Sequence, residues 1–369
     1  MAQSLVHHQT GTNLCQLVSH PIPSISSSDS ILVRFLAAPV NRVDLMVLAG
    51  QYPVKPKYTA TPSSDNNGEG TSSRHPIPGF DGCGIVESST SPLFTQGDLV
   101  LPRDLGLGTW RTHAALPATA LLKLPREVAE KIDPVDAALI RSGALIARLL
   151  LDNPATPLQA GDCVIISAGT STVAQFLVQL ARRRGVRVIL VIRDRAAGLA
   201  AVKTELLALG AEAVLSESEL EREVNKPSSS SQRLLPKGPI VLALDSVFGR
   251  VGELLAAALS PGGKFVLVGL LAGPSASIQL TTQYLFARQL SFLPFRGSEH
   301  LKRMGDERAE ELIGEIARMF VDGTLKRPRV RVVEWGNNKR GEVEEALRWA
   351  VDMANGEEAG HVKTVWKPT

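Results

Sequence analysis

The stretch VIISAGTSTVAQFLVQLARRRGVRVILVIRDR, residues 164–195, decides the fold. Its first run, Val164–Ser167, is apolar and reads as a strand that passes into a short turn. Helix-period residues Val173–Arg184 follow, then Gly185, then a second apolar run at Val186–Ile192. That order makes a βαβ unit, the building block of a parallel sheet covered by helices. A turn that receives a dinucleotide pyrophosphate uses glycine for three purposes: a tight bend, close approach of backbone to phosphate, and close packing of helix on strand. Those positions here are Gly169, Ser171 and Ala174. The first is kept for the bend, the second is a hydroxyl residue able to donate to phosphate, and the third is the tolerated alanine. Taken alone, the turn reads equally well as an ordinary βαβ connection.

The end of the second strand speaks to the cofactor. Arg193-Asp194-Arg195 lies 22 to 24 residues beyond Ser171, where NAD-binding domains commonly carry an acid that accepts the ribose hydroxyls. Here two arginines flank the acid, and a planar guanidinium suits a dianionic 2′-phosphate. The expectation is an NADPH site, with Gly169, Thr170, Ser171, Thr172 and Val173 at the turn and Arg193 and Arg195 on the 2′-phosphate. The alternative is that both arginines are solvated strand-end charges.

The alternation continues down the chain. Further strands are expected at Ala213–Leu215, Ile240–Leu244, Lys264–Val268 and Leu290–Leu293, and helices at Ala197–Leu209 and Val251–Leu259. Before about residue 160 the pattern differs: ILVRFLAAPV, GCGIVES, DLVLP and LLKLP are short strand-like runs separated by turn residues, as in a β-rich domain. The last part of the chain predicts a helix at Glu307–Val321, a strand in VRVVEW and a helix at Glu342–Met353. Lys326, Arg327, Arg329 and Arg331 alternate and read as a solvated face. Residues 59–75 and 225–232 hold almost no large apolar side chain, so both read as disordered surface excursions.

At 369 residues the chain is long enough for two domains. Forty basic against 37 acidic residues leave +3, too little for a nucleic-acid or anionic-membrane binder. The cysteines Cys15, Cys83 and Cys163 are odd in number and far apart, which gives neither a disulfide framework nor a Cys-x-x-Cys metal site. No apolar run reaches the roughly 18 residues of a spanning helix. The first arginine is Arg34 and the last residues are KPT, so no signal, transit or peroxisomal pattern is read and cytosol is the default expectation.

Three stretches resemble a known family. LAAPVNRVDLMVLAGQYPVKP (36–56), LPRDLGLGTWRTHA (101–114) and AGTSTVAQ with VIRDR downstream are similar to the 2-enoyl thioester reductases, the NADPH-dependent enoyl-CoA and enoyl-ACP reductases of mitochondrial fatty-acid synthesis. These belong to the medium-chain dehydrogenase/reductase superfamily. The resemblance covers nearly the whole chain, and it implies an α/β protein of two domains. A GroES-like β-rich catalytic domain would span 1–138 and 297–369, and a Rossmann doubly wound parallel-sheet domain 139–296. It also implies a homodimer, and adds mitochondria as the alternative compartment.

Zinc-dependent alcohol dehydrogenases of the superfamily place a cysteine ligand where Asn41 stands and a histidine where Phe80 stands. Neither replacement is a usable zinc ligand, so no metal is expected. Reduction of an activated C=C bond needs none. Tyr52, in GQYP, occupies the family's proton-donor position, and the resemblance assigns it to the carbonyl oxygen of the substrate. Without the resemblance it would read as a turn aromatic before Pro53. Asn41, Trp110 and Arg111 are tentative substrate-pocket residues, the last two shaping the wall between the domains. His113 is expected to be structural.

The chain departs from the family in RSGALIAR (141–148), in Phe248-Gly249 for a Gly-Gly pair, in Val-Gly-Leu-Leu (268–271), and in PFRG (294–297). The leading expectation is NADPH-dependent reduction of the C=C bond of an α,β-unsaturated thioester, carried by CoA or acyl-carrier protein, in fatty-acid or secondary metabolism. Alternatives are a quinone, alkenal or enone reductase on the same scaffold, or a non-catalytic NADPH-binding partner protein.

Overall fold

A computed structural model describes residues 1–7, 15–25, 27–52, 58–60, 74–226, 233–335, 340–355 and 362–368. Its backbone groups into two compact units, one of Met1–Ser142 with Leu301–Ala354 and Val362–Thr369, the other chiefly Gly143–His300.

The Gly143–His300 unit holds a six-stranded sheet of Cys163–Ile166, Arg187–Ile192, Ala213–Ser216, Ile240–Asp245, Lys264–Leu267 and Ser291–Pro294. All neighbours pair in parallel. Numbered along the chain, the strands lie in the order 3-2-1-4-5-6, the doubly wound arrangement whose order reverses between strands 1 and 4. Strand Cys163–Ile166 is buried along its whole length, as a central parallel strand covered on both faces must be. Helix Thr172–Arg183 buries Ala174 through Ala181. It carries Arg182 and Arg183 in its last turn, where positive charge complements the carbonyl end of the helix. Gly185 takes φ +69° and lets the chain turn back into the second strand. The helices expected at Ala197–Leu209 and Val251–Leu259 occupy Leu199–Ala208 and Arg250–Ala258. One further helix, Glu217–Val224, starts on a capping box of Ser216 and Glu219.

The other unit is built on a seven-stranded sheet. Its path runs Val330–Trp335, Lys363–Pro368, Ser30–Pro39, Cys83–Ser89, Leu99–Pro102 and Leu121–Lys123, with His113–Pro117 also paired to Ser30–Pro39. The C-terminal strand therefore lies between Val330–Trp335 and Ser30–Pro39, which ties the two ends of the sequence into one sheet. Trp110, Trp335 and Trp366 are fully buried there. Trp366 lies 5.8 Å from Trp110 and 6.0 Å from Trp335 between ring centroids. The expected final helices are Asp306–Val321 and Arg340–Asn355.

Three features depart from the sequence reading. Strands Ala2–His7 and Cys15–His20 form an antiparallel ribbon for which the sequence reading named no element. Strands Tyr58–Ala60 and Arg74–Pro76 pair at the two ends of the polar excursion, because ladder hydrogen bonds are made by the backbone and need no apolar side chain. The rest of that excursion, and 227–232, lie outside the described residues. Finally, the basic run 326–331 is exposed but partnered: Arg327 bridges Asp133 and Asp136, and the Arg331 guanidinium lies over Trp349 at 4.5 Å.

Candidate functional site

The turn after strand Cys163–Ile166 sits at the order reversal of its sheet. Ser167 Oγ donates to Asp245 Oδ1 at 2.6 Å and accepts from Ser246 N at 2.8 Å, stitching strands 1 and 4 together where they end. The bend itself is not made by Gly169. Ala168 takes φ +49°, the left-handed conformation that a side chain disfavours, while Gly169 N donates to Val191 O at 2.8 Å. A Cβ on Gly169 would lie 2.8 Å from Leu190 Cβ and 3.1 Å from Val191 O. The glycine is thus required for close packing of the turn on the second strand.

Ser171 caps helix Thr172–Arg183 by accepting from Ala174 N at 3.2 Å, which leaves its own O–H to donate outward. Thr172 Oγ1 is buried and finds no hydrogen-bond partner among the described residues. Buried hydroxyls are ordinarily paired. An orphaned hydroxyl beside a capped N-terminus of a 12-residue helix fits a phosphate ligand, since the helix dipole and free N–H groups there favour negative charge. The turn residues therefore suit a dinucleotide.

At the end of strand Arg187–Ile192, Asp194 is already engaged. Its carboxylate accepts from Ser218 N at 3.0 Å and from Ser218 Oγ at 2.7 Å. Burial raises its pKa, but the Ser216 and Ser218 hydrogen bonds outweigh that and hold the carboxyl below the usual range. The acid is spent on Ser218 in the first turn of helix Glu217–Val224. Arg193 is exposed and Arg195 half-buried.

The second cluster lies in the other unit, around Asn41. Helix Arg42–Leu48 begins on Asn41 with Asp44 in its first turn. Asp44 accepts from Asn41 N at 2.7 Å and from Phe80 N at 2.9 Å, so one carboxylate joins the two segments. The Phe80 ring packs edge-on against Tyr52, centroids 6.3 Å apart. Tyr52 is half-buried. Asn41 Nδ2 donates to Asp81 Oδ2 at 2.8 Å, and Lys363 Nζ donates to Asn41 Oδ1 at 3.2 Å. Asp81 also accepts from Ser142 Oγ at 2.8 Å and faces Arg141 Nη1 at 3.8 Å. Burial pushes the Asp44 carboxyl up to about 8 against the pull of its backbone partners and Lys363. It likewise raises Asp81 against Arg141 and lowers Lys363 against Asp44 and Asp81.

Phe80 and Asn41 are thus engaged in ring packing and amide hydrogen bonds. Trp110 supports this cluster from the core: its indole N–H donates to Pro39 O at 3.3 Å. A Cβ on Gly79 would meet Trp110 Cδ1 at 2.5 Å, so the Gly79–Asp81 turn lies directly on Thr109 and Trp110. Arg111 is buried, donates to Leu107 O at 2.9 Å, and has no partner for Nε among the described residues. Burial pushes its pKa down to about 10. His113 is held by Thr112 and Glu87. In the departing stretch 141–148, Ile140–Ala144 forms a π turn that runs into helix Leu145–Leu151.

The structure therefore brings Asn41, Phe80 and Tyr52 together, with Trp110 beneath, and keeps Gly169–Val173, Arg193 and Arg195 in the nucleotide-type unit. Sequence reasoning missed Asp44, Asp81, Arg141, Ser142 and Lys363. The available signals were Asp44 three residues after Asn41, Asp81 within a glycine-rich apolar turn, and a single lysine entering the run VKTVW.

No family model matches the chain. It is 31% identical over 324 residues to the mitochondrial enoyl-[acyl-carrier-protein] reductase of Rattus norvegicus, covering 87% of this chain and 79% of the relative. Among solved structures it is similar to the mitochondrial 2-enoyl thioester reductase Etr1p/Etr2p heterodimer from Candida tropicalis, with TM-score 0.80, 24% identity and 99% of each chain covered. It is also similar to Etr1p in complex with NADP and crotonyl-CoA, with TM-score 0.79, 24% identity and the same coverage. The likeness to both structures is a likeness of fold, a GroES-like domain with a Rossmann domain.

Proposed function

The chain belongs to the family of the mitochondrial enoyl-[acyl-carrier-protein] reductases, and we propose that it catalyses NADPH-dependent reduction of the C=C bond of a 2-enoyl thioester. The observation that carries this is that one chain holds both of two sites, one in each unit. One is a turn-and-helix suited to a dinucleotide phosphate; the other is a cluster in which Tyr52 packs on Phe80, whose backbone N–H shares Asp44 with Asn41.

Bound NADPH supplies the hydride, which reaches the β-carbon. The chain's own contribution begins at the carbonyl oxygen, where charge develops as the enolate forms. The Tyr52 hydroxyl donates to that oxygen and is the source of the proton that completes the reduction at the α-carbon. Ser171 and Thr172 would hold the pyrophosphate of a bound nucleotide through their hydroxyls. With Asp194 committed to Ser218, Arg193 and Arg195 meet the 2′-phosphate. Turnover of NADPH against a panel of enoyl thioesters, enones and quinones tests the reading: thioesters are expected to be the best substrates. NADPH binding with no turnover of any of them would leave a non-catalytic partner protein instead. Which of CoA and acyl-carrier protein bears the acyl chain follows from the same panel.

Because Asn41 and Phe80 replace ligands, activity and melting temperature are expected to be unchanged after dialysis against a strong chelator. Loss of either, restored by zinc, would overturn that expectation. The mitochondrial name of the rat relative supports the mitochondrial alternative for compartment.

We propose further that the protein is a homodimer. Strand Ser291–Pro294 is the edge of its sheet, and an edge strand offers unpaired backbone groups to another copy. Leu280, Leu285 and Phe286, which precede it, are 47%, 50% and 86% exposed. A second copy pairing edge to edge would cover them. Phe286→Glu is expected to convert a dimer into monomers in light scattering, with NADPH affinity retained. A wild type that runs as a monomer at all concentrations would rule the dimer out.

A further inference from the structure

Three charged side chains, Asp44, Asp81 and Lys363, meet Asn41, and their geometry fixes the orientation of its amide. The side-chain amide is held at both ends: Lys363 Nζ donates to Oδ1 at 3.2 Å and Nδ2 donates to Asp81 Oδ2 at 2.8 Å. A flipped amide would set its NH₂ against an ammonium and its oxygen against a carboxylate, so the charges leave one orientation. Each grip is itself anchored. Lys363 Nζ also donates to Val40 O at 3.2 Å. Asp81 Oδ1 accepts from Ser142 Oγ at 2.8 Å and faces the Arg141 guanidinium. Asp44 joins Asn41 N to Phe80 N, and Phe80 carries the Tyr52 ring.

An amide nitrogen has two N–H groups, and only one is needed by Asp81. Asn41 is itself half-buried rather than enclosed, and Asp44 ties its backbone to Phe80, whose ring meets Tyr52. We propose that Lys363 is a positioning residue for the thioester site: with Asp81 it clamps the Asn41 amide so that its free N–H shares the thioester oxygen with the Tyr52 hydroxyl. This rests on the functional reading given above. Lys363 touches neither substrate nor cofactor in this role and acts through Asn41.

The test is a double-mutant cycle at positions 41 and 363, measured on NADPH-dependent reduction of crotonyl-CoA. Asn41→Ala removes the donor and is expected to lower kcat/KM by about tenfold, the worth of one hydrogen bond to a developing charge. Lys363→Met removes the grip while keeping the stem, and is expected to lose a similar factor, with most of it in kcat. If Lys363 acts through Asn41, the double variant loses no more than Asn41→Ala alone, since coupled residues are non-additive. NADPH affinity is expected to stay at the wild-type value in all three, which a general loosening of structure would not give. Asp81→Asn takes the charge from the other end of the clamp at constant shape. It is expected to show the same non-additivity with Asn41→Ala, and it carries the test should Lys363→Met fail to fold. Wild-type kcat/KM in Lys363→Met, or losses that multiply in the double variants, would overturn the inference alone. A wild type inactive on crotonyl-CoA and on other enoyl thioesters would overturn the functional reading and this inference with it.

Discussion

Tyr52→Phe is expected to lower the turnover of an enoyl thioester by roughly 10²–10³, the loss seen when one donor to a developing oxyanion is removed. Hydride addition to the β-carbon leaves negative charge on the thioester oxygen. A hydroxyl aimed there stabilises that charge only as it develops, so its loss falls on kcat more than on ground-state affinity. Phenylalanine keeps the ring, and the ring is what Phe80 packs against at 6.3 Å. Tyr52 is half-buried in a short bend after helix Arg42–Leu48, and among the described residues its hydroxyl has no hydrogen-bond partner that holds that bend. Melting temperature and NADPH affinity are therefore expected to match wild type. Steady-state kinetics on crotonyl-CoA with a calorimetric scan check both halves. Equal turnover in Tyr52→Phe and wild type would remove Tyr52 from the mechanism and leave the proton donor to be sought around 141–148 and 294–297.

Removing both Arg193 and Arg195 is expected to abolish most of the preference for NADPH over NADH. Each charge-assisted contact to a 2′-phosphate contributes about 1.5–3 kcal/mol, so each arginine gives a discrimination of roughly tenfold or more. NADH binding is expected to change little, because the arginines have no partner on a bare 2′-hydroxyl. The acid between them does not compensate: Asp194 is bonded to Ser218 of helix Glu217–Val224 through both oxygens. Titration of each cofactor into wild type and the double alanine variant measures the effect. Equal affinity of wild type for NADH and NADPH would contradict the assignment.

Much of the cofactor-type unit was readable because its signals are local. Val164–Ile166 and Val188–Ile192 are β-branched runs, the intervening helix repeats its apolar face, and Gly185 closes it, so strand, helix and strand follow from neighbours in sequence. The turn was less legible. Gly169 was expected to make the bend, but the left-handed residue is Ala168, and what demands glycine at 169 is the approach of Leu190 and Val191. That contact comes from another strand and has no trace in the turn itself. The cluster around Asn41 shows the same limit more strongly. Asp44, Asp81, Arg141 and Lys363 are separated by up to most of the chain, and each alone resembles a solvated charge. Only the sheet that places Lys363–Pro368 beside Ser30–Pro39 puts the lysine against the amide. The exposed edge at Ser291–Pro294 was expected as a strand, but nothing in four residues of sequence says which side of it is unpaired.

The most direct measurement follows the hydride. With NADPH deuterated at the transferable C4 position and crotonyl-CoA as substrate, the reading predicts one deuterium in the saturated thioester, located by NMR at the β-carbon and absent from the α-carbon. The α-carbon is predicted to acquire its hydrogen from solvent, so the same reaction in D₂O with unlabelled NADPH places deuterium there. Recovery of crotonyl-CoA unchanged and of label in no other enoyl thioester tested, with NADPH consumed only when a quinone is supplied, would contradict it.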